Sequence, residues 1–204
     1  MDSQIVTREI KSEIWPLLRA NGFTRFTGRG AWRYRPEQIH VVNFQSFNSY
    51  LATAVGSTTF SFALNLGIYF RMIPMHYPVR GVHPSVRPQE YHCHFRNHLT
   101  KSFEQPEFTR RDIWYVAPDG GNVLEVLADA RTVLTQDGLP WFDKFVSLEE
   151  VLRLLISEDS RPPIRKHMIG HIARALGRNE LADAMIAEAE RELEAIRRPV
   201  KRRS

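Results

Sequence analysis

The chain has 204 residues, 43% hydrophobic and 25% charged, which suits a globular domain with a sizeable core and excludes a disordered or fibrous polymer. Its formal charge of +5 is local: Arg197, Arg198, Lys201, Arg202 and Arg203 fall in the last eight residues, and 28 basic residues less those five leaves 23 against 23 acidic ones. The folded part is thus formally neutral, and no apolar run nears the ~20 residues of a membrane span.

The charged N-terminus lacks the apolar stretch of a secretory signal. Cys93 is the single cysteine, so no internal disulfide is possible and a cytoplasmic location is expected. In chain order, Ile10, Ile14, Leu17 and Leu18 recur at helical spacing, with Pro16 set to kink or restart that helix and Asn21-Gly22 to stop it. A hairpin follows, its strands Phe23–Phe26 and Ala31–Arg35 flanking Thr27-Gly28-Arg29-Gly30, whose glycines can adopt positive φ. That turn is too short for a phosphate cradle and is assigned to the hairpin alone.

Ile39 to Phe47 reads as the next strand and Asn48 to Ser57 as a loop. From Thr58 to Phe70 every even position from 60 onward is apolar, the period of a strand with one buried face. Arg71 to Glu90 holds Pro74, Pro78, Pro84 and Pro88 and reads as an irregular excursion. Tyr91, Cys93 and Phe95 alternate with His92 and His94, as a strand would, and Asp112 to Val116 is a short strand ended by a turn at Pro118-Asp119-Gly120-Gly121. The remainder is helical: Val123 to Leu134, a helix capped by Ser147 with Glu150 at capping-box spacing, Ile164 to Leu176, and Asn179 to Ile196. The predicted fold is α+β, an antiparallel sheet packed on helices. Its expected division is a core of residues 1–157, a C-terminal αα-hairpin at 158–198, and a basic disordered tail at 199–204.

Asn21-Gly22-Phe23, Trp32-Arg33-Tyr34-Arg35, Val42-Asn43-Phe44-Gln45-Ser46, Phe60 to Gly67, Cys93-His94-Phe95-Arg96, Trp114-Tyr115 and Gly138-Leu139-Pro140-Trp141 stand in an order that resembles the family catalogued as domain of unknown function 4304. The resemblance covers roughly Ile10 to Leu155. It implies a mostly bacterial, cytosolic α+β protein and brings no catalytic residue, cofactor or substrate.

Two constellations carry candidate chemistry. If Trp32, Tyr34, Val42, Phe44, Phe60, Phe62, Leu64, Cys93 and Phe95 face the helices, parity puts Arg33, Arg35, Asn43, Gln45, Ser61, Asn65, Tyr69, His92 and His94 on the opposite face. That polar face suits a polar small ligand or a protein partner. The second constellation is His92 and His94, about 7 Å apart on a strand at ~3.3 Å per residue, with His98 completing a set for a divalent metal such as zinc. Glu90, His76 and His83 are possible further ligands; without a metal, these are exposed histidines beside a buried Cys93. His167 and His171, at i and i+4, read as ordinary surface or interface spacing on a helix, a structural pair.

Three functions are open on these residues. The first is a non-enzymatic binding or interaction module, an immunity-like role being one version, which uses the polar face or the helical C-terminal part and needs no cofactor. The second is a metal-dependent, hydrolytic enzyme centred on His92, His94 and His98. The third is weak nucleic-acid or membrane association through the basic tail.

Overall fold

The structure is a computed structural model and describes residues 3–75 and 86–197. His76 and His83, most of the proline-rich excursion and the basic tail lie outside the described residues. Within them the chain forms two compact units, one of residues 3–71 with 86–142 and one of 72–75 with 143–197. Among the described residues no helix is long and apolar enough to cross a membrane.

The first unit opens with α1 (Ser3–Glu13) and α2 (Trp15–Ala20). Pro16 sits at the start of α2, where its missing N–H costs no helical hydrogen bond, so the chain restarts there as its sequence predicts. Five strands follow as an antiparallel meander in the order β1 (Arg25–Phe26), β2 (Gly30–Tyr34), β3 (Gln38–Ser46), β4 (Phe62–Phe70) and β5 (Phe95–His98). The predicted α+β class holds.

Three local expectations change. Asn48 to Ser57 is a helical turn, not a loop: α3 (Ser49–Ala54) is capped by Asn48, whose side chain accepts the Leu51 N–H at 2.8 Å. Tyr91 to Phe95 is not a strand; Glu90–His92 is a single 3₁₀ turn and pairing with β4 begins only at Phe95. Asp112 to Val116 supplies one bridge, Phe62 to Trp114, rather than a strand. The hairpin glycines do not use their freedom to take positive φ, which neither Gly28 nor Gly30 adopts. Gly30 is needed for a different reason: a Cβ there would lie 2.6 Å from the Trp32 ring, two residues along the same face of β2.

One face of the sheet packs on helices. Along β4, Phe62, Leu64, Leu66, Ile68 and Phe70 are fully buried, as the period-two pattern requires. Trp15 of α2 meets Phe44 edge-on at 5.8 Å, and Trp114 stacks on Phe62 at 5.9 Å. A helical stretch from α4 (Val123–Val133) passes through a π turn at Leu134–Gly138 into α5 (Leu139–Asp143), and its Phe142 stacks on His40 at 4.7 Å. Burying about five large side chains along one strand contributes on the order of 1.5–3 kcal/mol each before the entropy of ordering them.

The second unit contains α6 (Leu148–Ser157), α7 (Pro163–Ala175) and α8 (Asn179–Arg197). Ser147 caps α6 by accepting the Glu150 N–H, as predicted. Helix α6 belongs to this unit and packs against α7. Helices α7 and α8 form the αα-hairpin, with Lys166 of α7 paired to Glu188 and Glu192 of α8. His167 is buried, and its Nε2 lies 3.1 Å from that of His171.

Candidate functional site

Cross-strand register fixes which side chains share a face. Arg33 pairs with His40 and Ile68, whereas Trp32 pairs with Val41 and Gly67. The expected faces are therefore exchanged along β2: Trp32 and Tyr34 join Asn43, Gln45, Asn65 and Tyr69 on the second face, and Arg33 lies on the helix-packed face. The cause is the offset of one residue between the apolar pattern of β2 and that of β3.

Arg33 belongs to a buried polar network. Its Nε and Nη2 donate to His40 Nδ1 at 3.1 and 2.9 Å, and its guanidinium lies over the rings of Phe23 and Phe142. A guanidinium has no lone pair to offer, so Nδ1 must be the unprotonated nitrogen. His40 Nε2 then donates to Gln38 Oε1 at 2.8 Å. Burial first, then Arg33 and Arg35, lower the His40 pKa to about 3. Arg35 falls just past β2 and its backbone N–H pairs with Gln38. Neither arginine stands on the second face with the amides.

The second face is itself half covered. Residues 86–94 cross it, held by Trp32 Nε1 donating to Pro88 O at 2.7 Å and Tyr34 Oη donating to Val86 O at 3.0 Å. Gly67 lets the segment approach: a Cβ at that position would lie 2.5 Å from Cys93 Sγ and 2.8 Å from Cys93 Cβ. Ile39, Val41 and Tyr69 are buried beneath this cover, and burial raises the Tyr69 phenol above its ordinary range. Cys93 is buried too; desolvation and then Glu90 raise its thiol well above the usual value. A thiol so held is a packing group rather than a nucleophile.

The three candidate metal ligands do not converge. His92 Nδ1 accepts the Gln89 N–H at 3.0 Å, closing the 3₁₀ turn. His94 Nδ1 accepts the Phe70 N–H at 3.0 Å, with its ring 5.0 Å from that of Tyr69. Each neutral imidazole therefore keeps its proton on Nε2 and has no lone pair left for a cation. Glu90 pairs with Arg96. Among the described residues no group of three or more His, Cys, Asp or Glu side chains is placed to hold a metal ion.

His98 does join the polar face. Asn43, Asn65 and His98 occupy one cross-strand row. Asn65 Nδ2 donates to Gln45 Oε1 at 2.7 Å, turning its Oδ1 toward His98 Nδ1, which donates to it at 2.7 Å. Gln45 and His98 are exposed and Asn43 is half-buried, so this end of the face is open.

Between the open amide row and the covered end is a cavity of about 170 Å³. Its floor is Trp32, Val41 and Asn43; its walls are Thr27 and Arg29 from the β1–β2 turn, with Arg87 and Gln89 from the covering segment. Of these residues only Asn43 is a candidate in the sequence; Arg29 reads there as part of a hairpin turn and Arg87 as part of the proline-rich excursion. No local signal joins them, because residues 58 positions apart meet only when the segment crosses the sheet.

A family model described as a domain of unknown function (DUF4304) matches residues 14–144. That span is more than half of the chain and includes the whole sheet and its covering segment, so the chain belongs to this family. No curated protein and no solved structure is significantly similar to it.

Proposed function

We propose that this family member is a non-enzymatic binding protein that takes a small polar ligand at the open end of the second sheet face. One observation carries the reading: residues 86–94 seal the apolar end of that face but leave a niche beside Trp32 and the amide row Asn43, Gln45 and Asn65. A face that served folding alone would need no cavity between its cover and its strands. Asn43 on β3, Thr27 and Arg29 on the turn, and Arg87 and Gln89 on the covering segment surround the niche with hydrogen-bonding groups, which suits recognition of a polar ligand. We place the protein in a reducing, cytoplasmic compartment, where a single buried thiol is stable. The metal-dependent alternative gains no support from imidazoles already committed to backbone N–H groups.

Native mass spectrometry of the untagged protein tests this reading against a Thr27→Trp variant, whose indole fills the niche from the turn. The expected result is a low-mass adduct on the wild type that is lost in the variant. Wild type and variant both free of adducts, together with no stabilisation of the wild type by a panel of small polar metabolites, would refute it.

A further inference from the structure

We propose that the niche binds a compact dianionic oxyanion, the phosphate group of a small phosphomonoester, between Arg29 and Arg87. The proposal rests on the binding reading above and names its ligand class.

Charge carries the first part of the argument. Arg29 and Arg87 both line the cavity, and among the described residues neither makes an ion pair. Among the described residues no carboxylate lines it either. Arg29 donates through Nε to Thr7 Oγ1 at 3.1 Å, while its Nη1 is buried with no partner. Arg87 is held over the Trp32 ring, its guanidinium carbon 5.9 Å from the centroid, a contact that leaves its N–H groups for an acceptor. A buried guanidinium nitrogen without an acceptor is costly, and an anionic oxygen is the acceptor that costs least to supply.

Size and stoichiometry carry the second. At ~30 Å³ per liquid water, the cavity equals roughly five to six waters; drug-sized ligands need about 300 Å³ or more. The niche therefore fits a compact group, with any larger substituent lying outside over Asn43 and Gln45. Two uncompensated positive charges match a phosphomonoester, which carries about −1.5 to −2 at neutral pH, better than a monocarboxylate. Planar guanidiniums on two sides also match the geometry of phosphate oxygens.

The test is isothermal titration calorimetry at fixed ionic strength with inorganic phosphate, glycerol phosphate and acetate, chloride being the background anion. Saturable phosphate binding is expected, tighter than acetate by about tenfold or more. Arg87→Gln and Arg29→Gln are each expected to weaken it by roughly tenfold or more, and the exposed Arg153→Gln to leave it unchanged. Arg87→Gln removes only a stacking contact, so its folding is confirmed by an unchanged melt. Tighter binding of glycerol phosphate than of inorganic phosphate identifies an ester as the ligand; the reverse order identifies free phosphate and overturns the ester assignment. Phosphate binding insensitive to both arginine variants, or matched by acetate, overturns the proposal. If phosphate does not bind but the Thr27→Trp-sensitive adduct is present, the ligand class is wrong and the binding reading survives; with neither, both fail.

Discussion

Protonating His40 is the perturbation with the most calculable consequence for the sheet. Its Nδ1 faces two arginine N–H donors, so a second ring proton would meet donors on a fully buried group. The folded pKa is lowered to about 3, mainly by burial and then by Arg33 and Arg35, against 6.5 in the unfolded chain. Because the folded value is depressed, the unfolded state binds more protons between pH 6.5 and 3. Stability is thus complete above pH 6.5 and falls with pH below it. From pH 7.5 to 5.0 the loss is about 2 kcal/mol, at about 1.4 kcal/mol per pH unit once below the unfolded pKa. All four tryptophans, Trp15, Trp32, Trp114 and Trp141, lie in the first unit, so their fluorescence in urea titrations reports that unit alone. His40→Gln keeps an acceptor for Arg33 and a donor for Gln38 but cannot take up a proton. The stability difference between wild type and variant is expected to shrink by about 2 kcal/mol from pH 7.5 to 5.0. A difference constant over that range, or an NMR titration placing His40 near 6.5, would refute the network as drawn.

Gly67→Ala should drive the covering segment off β4, because the new methyl would overlap Cys93; overpacking of this kind costs about 1–3 kcal/mol. Alkylation of the single thiol should then run roughly ten- to a hundredfold faster, and an unchanged rate would mean that the segment is not held as described. Asn48→Ala should destabilise α3 by about 1 kcal/mol through loss of its cap; hydrogen exchange of the Leu51 amide, unprotected in the variant, is the local check. Lys166→Met should lower stability and remove part of its dependence on salt, since the Lys166 ammonium joins α7 to two carboxylates on α8. Equal salt dependence in wild type and variant would show those pairs to be energetically silent.

The sequence by itself determined the sheet centre. The alternation from Phe62 to Phe70 requires an extended strand with at least one buried face, and the caps and stops at Pro16, Gly22 and Ser147 act over three or four residues. The amide row was legible too, since Asn43, Gln45 and Asn65 fall at fixed parity once β3 and β4 pair. One signal pointed to a doubly covered sheet: Ile39, Val41 and Val42 place apolar side chains on both faces of β3.

Tertiary structure decided the rest. Parity within a strand does not set register between strands, so only the pairing of Arg33 with His40 reveals that Trp32 faces the covering segment and Arg33 the helices. Histidines spaced for a metal became backbone acceptors because a 3₁₀ turn, fixed by local hydrogen bonds, replaced the strand that would have aligned them. Arg29 and Arg87 became neighbours because Trp32 anchors the Pro88 carbonyl across the sheet. Short-range chemistry can be read along the chain, whereas which groups meet across the second face depends on a long-range closure that no local pattern encodes.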